Sequence, residues 1–307
     1  MEEALVWILD RLHNIGLSSD AESLAAGLLC GDKSLFDASV IRDMRDAGMS
    51  HLLAVSGLHI GLLWVLVWWT LRPVLLVPAR MGWYDVAWYR GVRIVSVALL
   101  WLYVWMIGFP PSAVRAATML TLAQVSPLFG VESWSWSNLV MAALLMLCFD
   151  PMQMGQVGFQ LSFAATAGIL TFSRFLHGPW RLLVLTFSAQ YFTLPLIAYY
   201  FHHLPLLGWV QGVLVVPIVA LLVYGFVLLL CVPASWGMMV ICGESLYHWL
   251  SLPVEALSWW VLHVAQWVTH LELFLVGGRV EFYPSLAEVC SLEVVLVGFA
   301  FLASRRL

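Results

Sequence analysis

Two histidines and a serine lie within one apolar segment of the chain, at His51, Ser56 and His59. On a helix Ser56 and His59 share a face, and His51 lies within the same broad arc. A hydroxyl beside an imidazole could act as a nucleophile with its base, or these groups could line a pathway for a polar solute. The alternative is that they form hydrogen bonds that only fix helix packing. Gly57 and Gly61 would let another backbone approach closely.

An arginine near a predicted helix start is the second candidate. Pro111 followed by Ser112 predicts a helix start with a capping hydroxyl, which places Arg115 in the first turn. A fixed cation at this position could guide an anionic substrate into a membrane. The alternative is an arginine whose side chain extends to the lipid head groups without a further role.

Polar side chains recur at helical spacing on two later segments. Ser162 and Thr166 are four residues apart, and Ala164 with Gly168 forms a pair of small residues suited to close helix packing. The following apolar segment carries a second polar stripe, formed by Thr186, Gln190 and Thr193. Two such stripes on adjacent helices could line one passage, although hydroxyls and small residues also make ordinary contacts between membrane helices.

The composition restricts the class of protein. Of 307 residues, 14 are Lys or Arg and 18 are Asp or Glu; charged residues make up 10 %, apolar residues 62 %, and the mean hydropathy is +0.92. Soluble domains carry about 25 % charged residues. The polar surface is therefore too small for a soluble enzyme, and the net charge of -4 argues against one large basic surface.

Apolar stretches long enough to cross a bilayer recur from Leu52 to the end of the chain. We therefore predict an all-α fold, namely a polytopic transmembrane helical bundle. Several stretches are shorter than about 20 residues, and prolines such as Pro195 and Pro217 interrupt others, which predicts broken or re-entrant helices. The predicted regions are interfacial N-terminal helices over 1–50, a transmembrane core over 51–232, and C-terminal interfacial and transmembrane helices over 233–307. The five cysteines form no C-x-x-C pair, so we expect neither a metal nor a cofactor.

The segment HLLAVSGLHI at 51–60, preceded by LLCGDK at 28–33, resembles the competence domain of the ComEC family, the inner-membrane channel for imported single-stranded DNA. The blocks GFPPSAVRA at 108–116 and GFQLSFAAT at 158–166 follow in the expected order. The resemblance spans about residues 25–232 and identifies 51–232 as a competence-type core. Residue by residue, it points to Asp32, His51, Ser56, Gly57, His59, Arg115, Asp150, Gln160, Ser162 and Pro217.

The resemblance implies a channel or translocase domain that passes single-stranded DNA across the bacterial inner membrane during natural transformation. Arg115 is expected near the entrance, with His51, Ser56 and His59 at the constriction. The DNA-pathway candidates are His51, Ser56, His59, Arg115, Gln160, Ser162, Thr166 and Gln190. The residues with an expected structural role are Asp32, Gly57, Gly61, Asp150 and Pro217.

The chain departs from the family pattern in two respects. Gly212 stands where the family usually has an asparagine, which puts a polar role at that position in doubt. The sequence has no H-x-H-x-D-H run, so we expect no nuclease-type metallo-β-lactamase domain, no enzyme activity, and a membrane domain alone, as a fragment or a reduced member. The expected partners are single-stranded DNA, the lipid bilayer, a DNA-receptor protein and a cytoplasmic motor protein, with a homo-oligomer as an alternative to a monomer.

Two other functions are alternatives to a DNA channel. A small-solute or lipid transporter would predict an inverted repeat, and the two halves of the sequence show no convincing match. An intramembrane serine hydrolase would use Ser56 as nucleophile and His59 as base. It would also need a group that orients the histidine and an oxyanion hole, and the nearest acidic residues, Asp43 and Asp46, precede the segment.

Overall fold

The structure is a computed structural model that describes residues 2–46, 49, 55–80, 86–130, 135–173, 181–202, 208–233, 240–241, 244–276, 283–289 and 291–292. The predicted pathway residue His51 lies outside the described residues. The helices are α1 (Glu2–Ile15), α2 (Ser19–Ala25), α3 (Ala38–Asp46), α4 (Gly57–Arg80), α5 (Val86–Met106), α6 (Pro111–Val125), α7 (Trp136–Phe149), α8 (Val157–Thr171), α9 (Arg181–Phe201), α10 (Gly208–Cys231) and α11 (Leu246–Val276).

Other regular structure in the described residues is short. A π-helical turn spans Ala26–Cys30, and 3₁₀ turns span Ser126–Phe129 and Pro151–Gly155. Strands β1 (Val240–Ile241) and β2 (Glu244–Ser245) form a small antiparallel hairpin. The predicted helical fold is therefore confirmed, with the addition of this hairpin.

Two apolar segments in the described part of the chain are long enough to cross a membrane by length and composition, Leu183–Phe201 and Gly212–Cys231. The apolar helical segments Gly57–Leu71, Trp136–Phe149 and Val157–Thr171 are shorter. The larger set of spans that the sequence predicts therefore stays a prediction, as do the three regions 1–50, 51–232 and 233–307.

The chain divides into two compact units. The first contains Met1–Arg42, Ser50–Gln124 and Pro217–His263, and the second contains Asp43–Met49, Val125–Val216 and Val264–Leu307. In the first unit a buried cluster joins the start of α4 to α5 and α6. Its members are Val55, Ile60, Leu100, Val104, Ile107, Ala113, Ala116, Ala117 and Leu120. The small side chains on α6 leave room for close packing, so this helix is buried on most of its sides.

The N-terminal helix is fixed within the first unit by an arginine. Arg11 donates hydrogen bonds to the carbonyl of Val232, just after α10, and to the phenol of Tyr247 in α11. Its guanidinium also lies 5.5 Å from the centre of the Tyr247 ring. A cation at the end of a helix satisfies a carbonyl that has no partner within the helix, so this contact secures the end of α10.

Two prolines that were predicted to interrupt the apolar runs lie inside continuous helices. Pro195 is within α9 and Pro217 is within α10. A proline removes one hydrogen bond within the helix, but packing against neighbouring helices allows such prolines in apolar helices. The prediction that these two residues break their helices is therefore wrong. The boundary between the two units nevertheless falls at Pro217.

In the second unit, a glycine lets α8 and α9 pack closely. A Cβ atom at Gly168 would lie 2.3 Å from the carbonyl oxygen of Ser188 and 3.0 Å from the ring of Phe192. Real Cβ atoms essentially never approach backbone so closely. The predicted role of Gly168 in close helix packing is confirmed.

The substitution Gly168→Ala is expected to destabilise the second unit, because the new methyl group must push α8 away from α9. A loss of about 1–3 kcal/mol is typical of such overpacking. The measurement is the apparent melting temperature of the purified chain in lipid nanodiscs. Gly91→Ala in α5 is the matched control: its Cβ would have nothing within 4 Å, so it should retain or raise stability. An unchanged melting temperature for Gly168→Ala would contradict this packing.

Candidate functional site

Three segments that carry sequence motifs meet around Val55 in the first unit. A Cβ atom at Gly31 would lie 3.4 Å from the side chain of Val55, and the hydroxyl of Ser112 donates a hydrogen bond to the Val55 carbonyl. One residue beyond Ser56, a Cβ atom at Gly57 would lie 3.6 Å from the Cβ of Ala116. We call this meeting point of the segments around residues 31, 55–59 and 112–116 the Val55 junction.

The segment LLCGDK reaches the junction through a tight turn. The π-helical turn ends at Cys30 and is followed by Gly31, whose φ of 75° favours glycine. The carboxylate of Asp32 then accepts the backbone N–H of Ser34 at 2.9 Å, and the phenol of Tyr103 donates to the carbonyl of Leu29. Asp32 therefore stabilises the turn that follows Gly31, the residue that lies against Val55. This is a structural role, as expected for Asp32.

The cysteine in this segment is a buried thiol. Burial, followed by the nearby negative charge of Asp32, raises the pKa of Cys30 to about 12. A thiol with this pKa stays protonated at neutral pH, whereas metal ligation and nucleophilic attack require the thiolate. Cys30 therefore packs as a small apolar side chain.

His59 caps the start of α4. The backbone N–H of Ser56 donates to Nδ1 of His59 at 3.0 Å, and the Ser56 hydroxyl oxygen is 3.3 Å from the same nitrogen. Ser56 precedes α4 and His59 is its third residue, so the imidazole occupies the place of the acidic or amide side chain in a capping box. The side chain of His59 is fully buried, with 0 % exposed.

This contact assigns the tautomer of His59. A backbone N–H can only donate, so Nδ1 is the acceptor and the proton of a neutral ring is on Nε2. The lone pair of Nδ1, which would have to act as the base toward the Ser56 hydroxyl, already accepts the hydrogen bond from the Ser56 backbone N–H. The geometry therefore fits a structural cap better than the base of a serine hydrolase.

Arg115 lies in the second turn of α6, and the first turn forms the junction. The helix begins at Pro111, as predicted, but the hydroxyl of Ser112 bonds to Val55 and does not cap α6. Arg115 was placed in the first turn because Ser112 was taken as the cap, and that placement is corrected here. The two residues share one face, since they are three apart.

The arginine is buried without a counter-charge. Arg115 is 6 % exposed, and its buried Nε has no hydrogen-bond partner among the residues that the structure describes. Those residues also provide no ion pair to its guanidinium. A buried charge is normally paired or fully hydrogen-bonded, because removing it from water is costly. The described residues therefore leave the charge of Arg115 without a counter-charge.

A family profile described as Competence protein matches residues 28–305. This range covers most of the 307 residues. The chain belongs to the competence protein family. The resemblance to the ComEC family that the sequence motifs indicated is therefore confirmed.

Several proteins are similar to this competence-family chain. ComE operon protein 3 of Bacillus subtilis is 25 % identical over 257 residues, which cover 81 % of this chain and 31 % of that protein. Competence protein ComA of Neisseria gonorrhoeae is 27 % identical over 202 residues, or 65 % of this chain and 29 % of that protein. Uncharacterized protein YcaI of Escherichia coli is 23 % identical over 288 residues, which cover 86 % of this chain and 37 % of that protein. The chain thus spans about a third of the length of these relatives, and no solved structure matches it.

Two motif residues in the second unit hold the ends of helices. The carboxylate of Asp150 accepts the backbone N–H of Met152 at 3.1 Å and caps the 3₁₀ turn. The amide of Gln160 donates to the carbonyl of Met154 at 2.9 Å and accepts the phenol of Tyr200 at 2.8 Å. Gln160 therefore connects the start of α8 to the end of α9 through its hydrogen bond to Tyr200. This pathway candidate thus makes structural contacts.

The remaining pathway candidates lie on the α8–α9 pair. With about 100° per residue, Ser162 lies about 120° around α8 from Gly168, which contacts α9. Gln190 lies about 160° around α9 from Phe192, which contacts α8. The hydroxyl of Thr166 donates to the carbonyl of Ser162 at 2.9 Å. Ser162 and Gln190 therefore lie away from the contact between α8 and α9, and whether the two polar stripes line one passage stays a prediction.

The departure at Gly212 from the competence pattern has a packing reason. A Cβ atom at this position would lie 2.2 Å from the methyl group of Thr186. Asparagine would not fit against this threonine without a shift of α10. The close approach also shows that the face of α9 that carries Thr186 is turned toward α10.

Tyr103 and Tyr200 are not part of any motif in the sequence. Each is a tyrosine in an apolar helix, and each phenol bonds to a motif segment, at Leu29 and Gln160 respectively. The available signal is that a buried tyrosine hydroxyl usually finds a partner. That signal predicts a hydrogen bond but does not name the acceptor.

Proposed function

We propose that this chain is the membrane domain of a DNA-uptake system and passes single-stranded DNA across the bacterial inner membrane during natural transformation. Membership of the competence protein family supports a role in DNA uptake. The segments Leu183–Phe201 and Gly212–Cys231, which are apolar and long enough to cross a bilayer, support a membrane location. On this proposal the helices form a polytopic bundle around the DNA pathway.

The observation that carries the proposal is the buried Arg115 at the Val55 junction, whose Nε has no hydrogen-bond partner and whose guanidinium has no ion pair among the described residues. A DNA strand carries one phosphate per nucleotide, and a phosphate is a strong partner for a guanidinium. The strand would supply the counter-charge during transit and remove it afterwards. A buried cation is costly without a counter-charge, so we expect an anion to bind favourably near Arg115.

The rest of the pathway is expected to bind the strand weakly. Conduction requires binding that is favourable enough to enter and weak enough to leave. The side chains of Ser162 and Gln190 make no hydrogen bond within the described residues, so both are available to a passing polar group. The overall net charge of -4 is compatible with a pathway that contains few cations.

The energy for transport is proposed to come from other proteins. The sequence has no G-x-x-x-x-G-K-[ST] loop for nucleotide phosphates. A DNA-receptor protein outside the membrane and a cytoplasmic motor protein are the proposed partners. The second copy of a homo-oligomer is a further proposed partner.

Binding of a fluorescent single-stranded oligodeoxynucleotide to the full 307-residue chain in lipid nanodiscs tests the proposal. We expect fluorescence anisotropy to rise with protein concentration, and the affinity to fall linearly with salt on logarithmic axes. Empty nanodiscs and the same sequence as a duplex are the controls. Equal affinity for single-stranded DNA in empty nanodiscs, or no binding by the chain at low salt, would overturn the proposal.

A further inference from the structure

One face of α4 carries two glycines followed by two stacked tryptophans. With about 100° per residue, Gly57, Gly61, Trp64 and Trp68 fall within an arc of about 60°. The indole rings of Trp64 and Trp68 lie 6.0 Å apart between centroids, with 19° between their planes. A Cβ atom at Gly61 would have nothing within 4 Å. A side chain at position 61 would therefore begin in open space on the face that carries Trp64.

The indole of Trp64 also has an unused hydrogen-bond donor. Trp64 is half-buried against the cluster of the first unit, and its buried Nε1 has no acceptor among the described residues. A desolvated N–H without an acceptor has a free-energy cost, and the exposed part of this half-buried indole is the surface that a ligand can contact.

The glycine end of this face begins at the Val55 junction. The Cβ position of Gly57 is 3.6 Å from the Cβ of Ala116, the residue that follows Arg115. Trp64 is seven residues further on, which is about 10 Å along the helix axis. A stacked strand rises by about 3.4 Å along its axis per nucleotide, so one short stretch of strand can reach both levels.

We propose that the face of α4 formed by Gly61 and Trp64 is a nucleobase-stacking site, at which a base of the strand packs against the indole. The inference rests on the proposed function, in which Arg115 holds a phosphate of the same strand. Base stacking on aromatic side chains combined with a cation for the backbone is the usual means of binding single strands without sequence preference. The site therefore recognises bases as a class.

Two probes of equal length separate base contacts from phosphate contacts. One is an oligodeoxythymidylate, and the other is an abasic oligomer with the same number of phosphates. The full chain in lipid nanodiscs is expected to bind the thymidylate about ten-fold more tightly. Trp64→Leu is expected to remove this preference and to leave binding of the abasic oligomer unchanged. Trp64→Phe should retain part of it, because the ring can still stack.

Two further variants make the result decisive. Trp69 is an exposed tryptophan of α4 that lies outside the arc formed by the two glycines, Trp64 and Trp68. Trp69→Leu should therefore leave the preference for the thymidylate over the abasic oligomer unchanged. Gly61→Leu fills the space beside Trp64 without removing a core side chain, and should reduce the preference even if Trp64→Leu fails to fold.

Three results would overturn the inference. Equal binding of both probes by the unmodified chain would leave the proposed function in place and remove the base site. Failure to bind either probe would remove both. A Gly61→Leu variant that keeps the full thymidylate preference would exclude this face as the base site.

Discussion

Arg115→Met is expected to make the chain more stable and, at the same time, to weaken its binding of single-stranded DNA about ten-fold. The stability should rise because the substitution removes a buried charge that has no partner in the described structure. The apparent melting temperature in nanodiscs should increase by about 3 °C. The affinity should fall because one phosphate contact is lost, and the slope of affinity against salt should decrease by about 0.7.

The two changes must occur together to support a role in binding DNA. Arg90→Met is the matched control, because Arg90 is an exposed arginine of α5 in the same unit. It should leave the melting temperature near its original value, and so should Arg115→Lys, which keeps the charge. A less stable Arg115→Met variant with unchanged DNA affinity would show that the arginine is structural.

His59→Ala is expected to destabilise the first unit by about 2–3 kcal/mol, because it removes the acceptor for the Ser56 N–H and leaves a cavity at a fully buried position. His59→Gln should recover most of this loss, since glutamine at the third helical position can accept the same N–H. The melting temperatures of the two variants measure the difference. We also expect His59→Gln to retain DNA binding, because on this account the imidazole positions the junction and has no chemical step to perform.

Ser56→Ala provides the control for this pair. The hydrogen bond to His59 comes from the Ser56 backbone, so loss of the hydroxyl should have a small effect on stability. The account of the cap fails if His59→Gln is as unstable as His59→Ala, or if Ser56→Ala is the most damaging of the three. The latter result would return attention to the hydrolase alternative.

Local patterns predicted the helical class and several features of the helices. A proline starts α6, and a glycine lets α8 pack closely against α9. Both features follow from the geometry of the residue itself, which its neighbours along the chain do not change. Pro195 and Pro217 were misjudged for the opposite reason. Whether a helix continues through a proline depends on packing from other helices, which the local sequence does not contain.

The Val55 junction was only partly predictable. The motif segments around Gly31, Ser56 and Arg115 were each recognised, but their meeting depends on contacts between residues far apart in the chain. Burial of Arg115 also depends on these contacts. The sequence identified a cation near a helix start, and only the fold shows that no described side chain neutralises it. Whether Ser162 and Gln190 line one passage depends on the rotation of each helix, which spacing along one helix cannot fix relative to another.

The central claim is that single-stranded DNA contacts the Val55 junction. Photo-cross-linking tests it most directly: a single-stranded oligodeoxynucleotide with photoreactive thymidine analogues is bound to the full chain in nanodiscs, irradiated, and the modified peptides are mapped by mass spectrometry. The account predicts cross-links within residues 55–64 and 112–116 that an excess of unlabelled strand abolishes and that Arg115→Met reduces. Cross-links that map only to other parts of the chain, with the same yield in Arg115→Met, would contradict it.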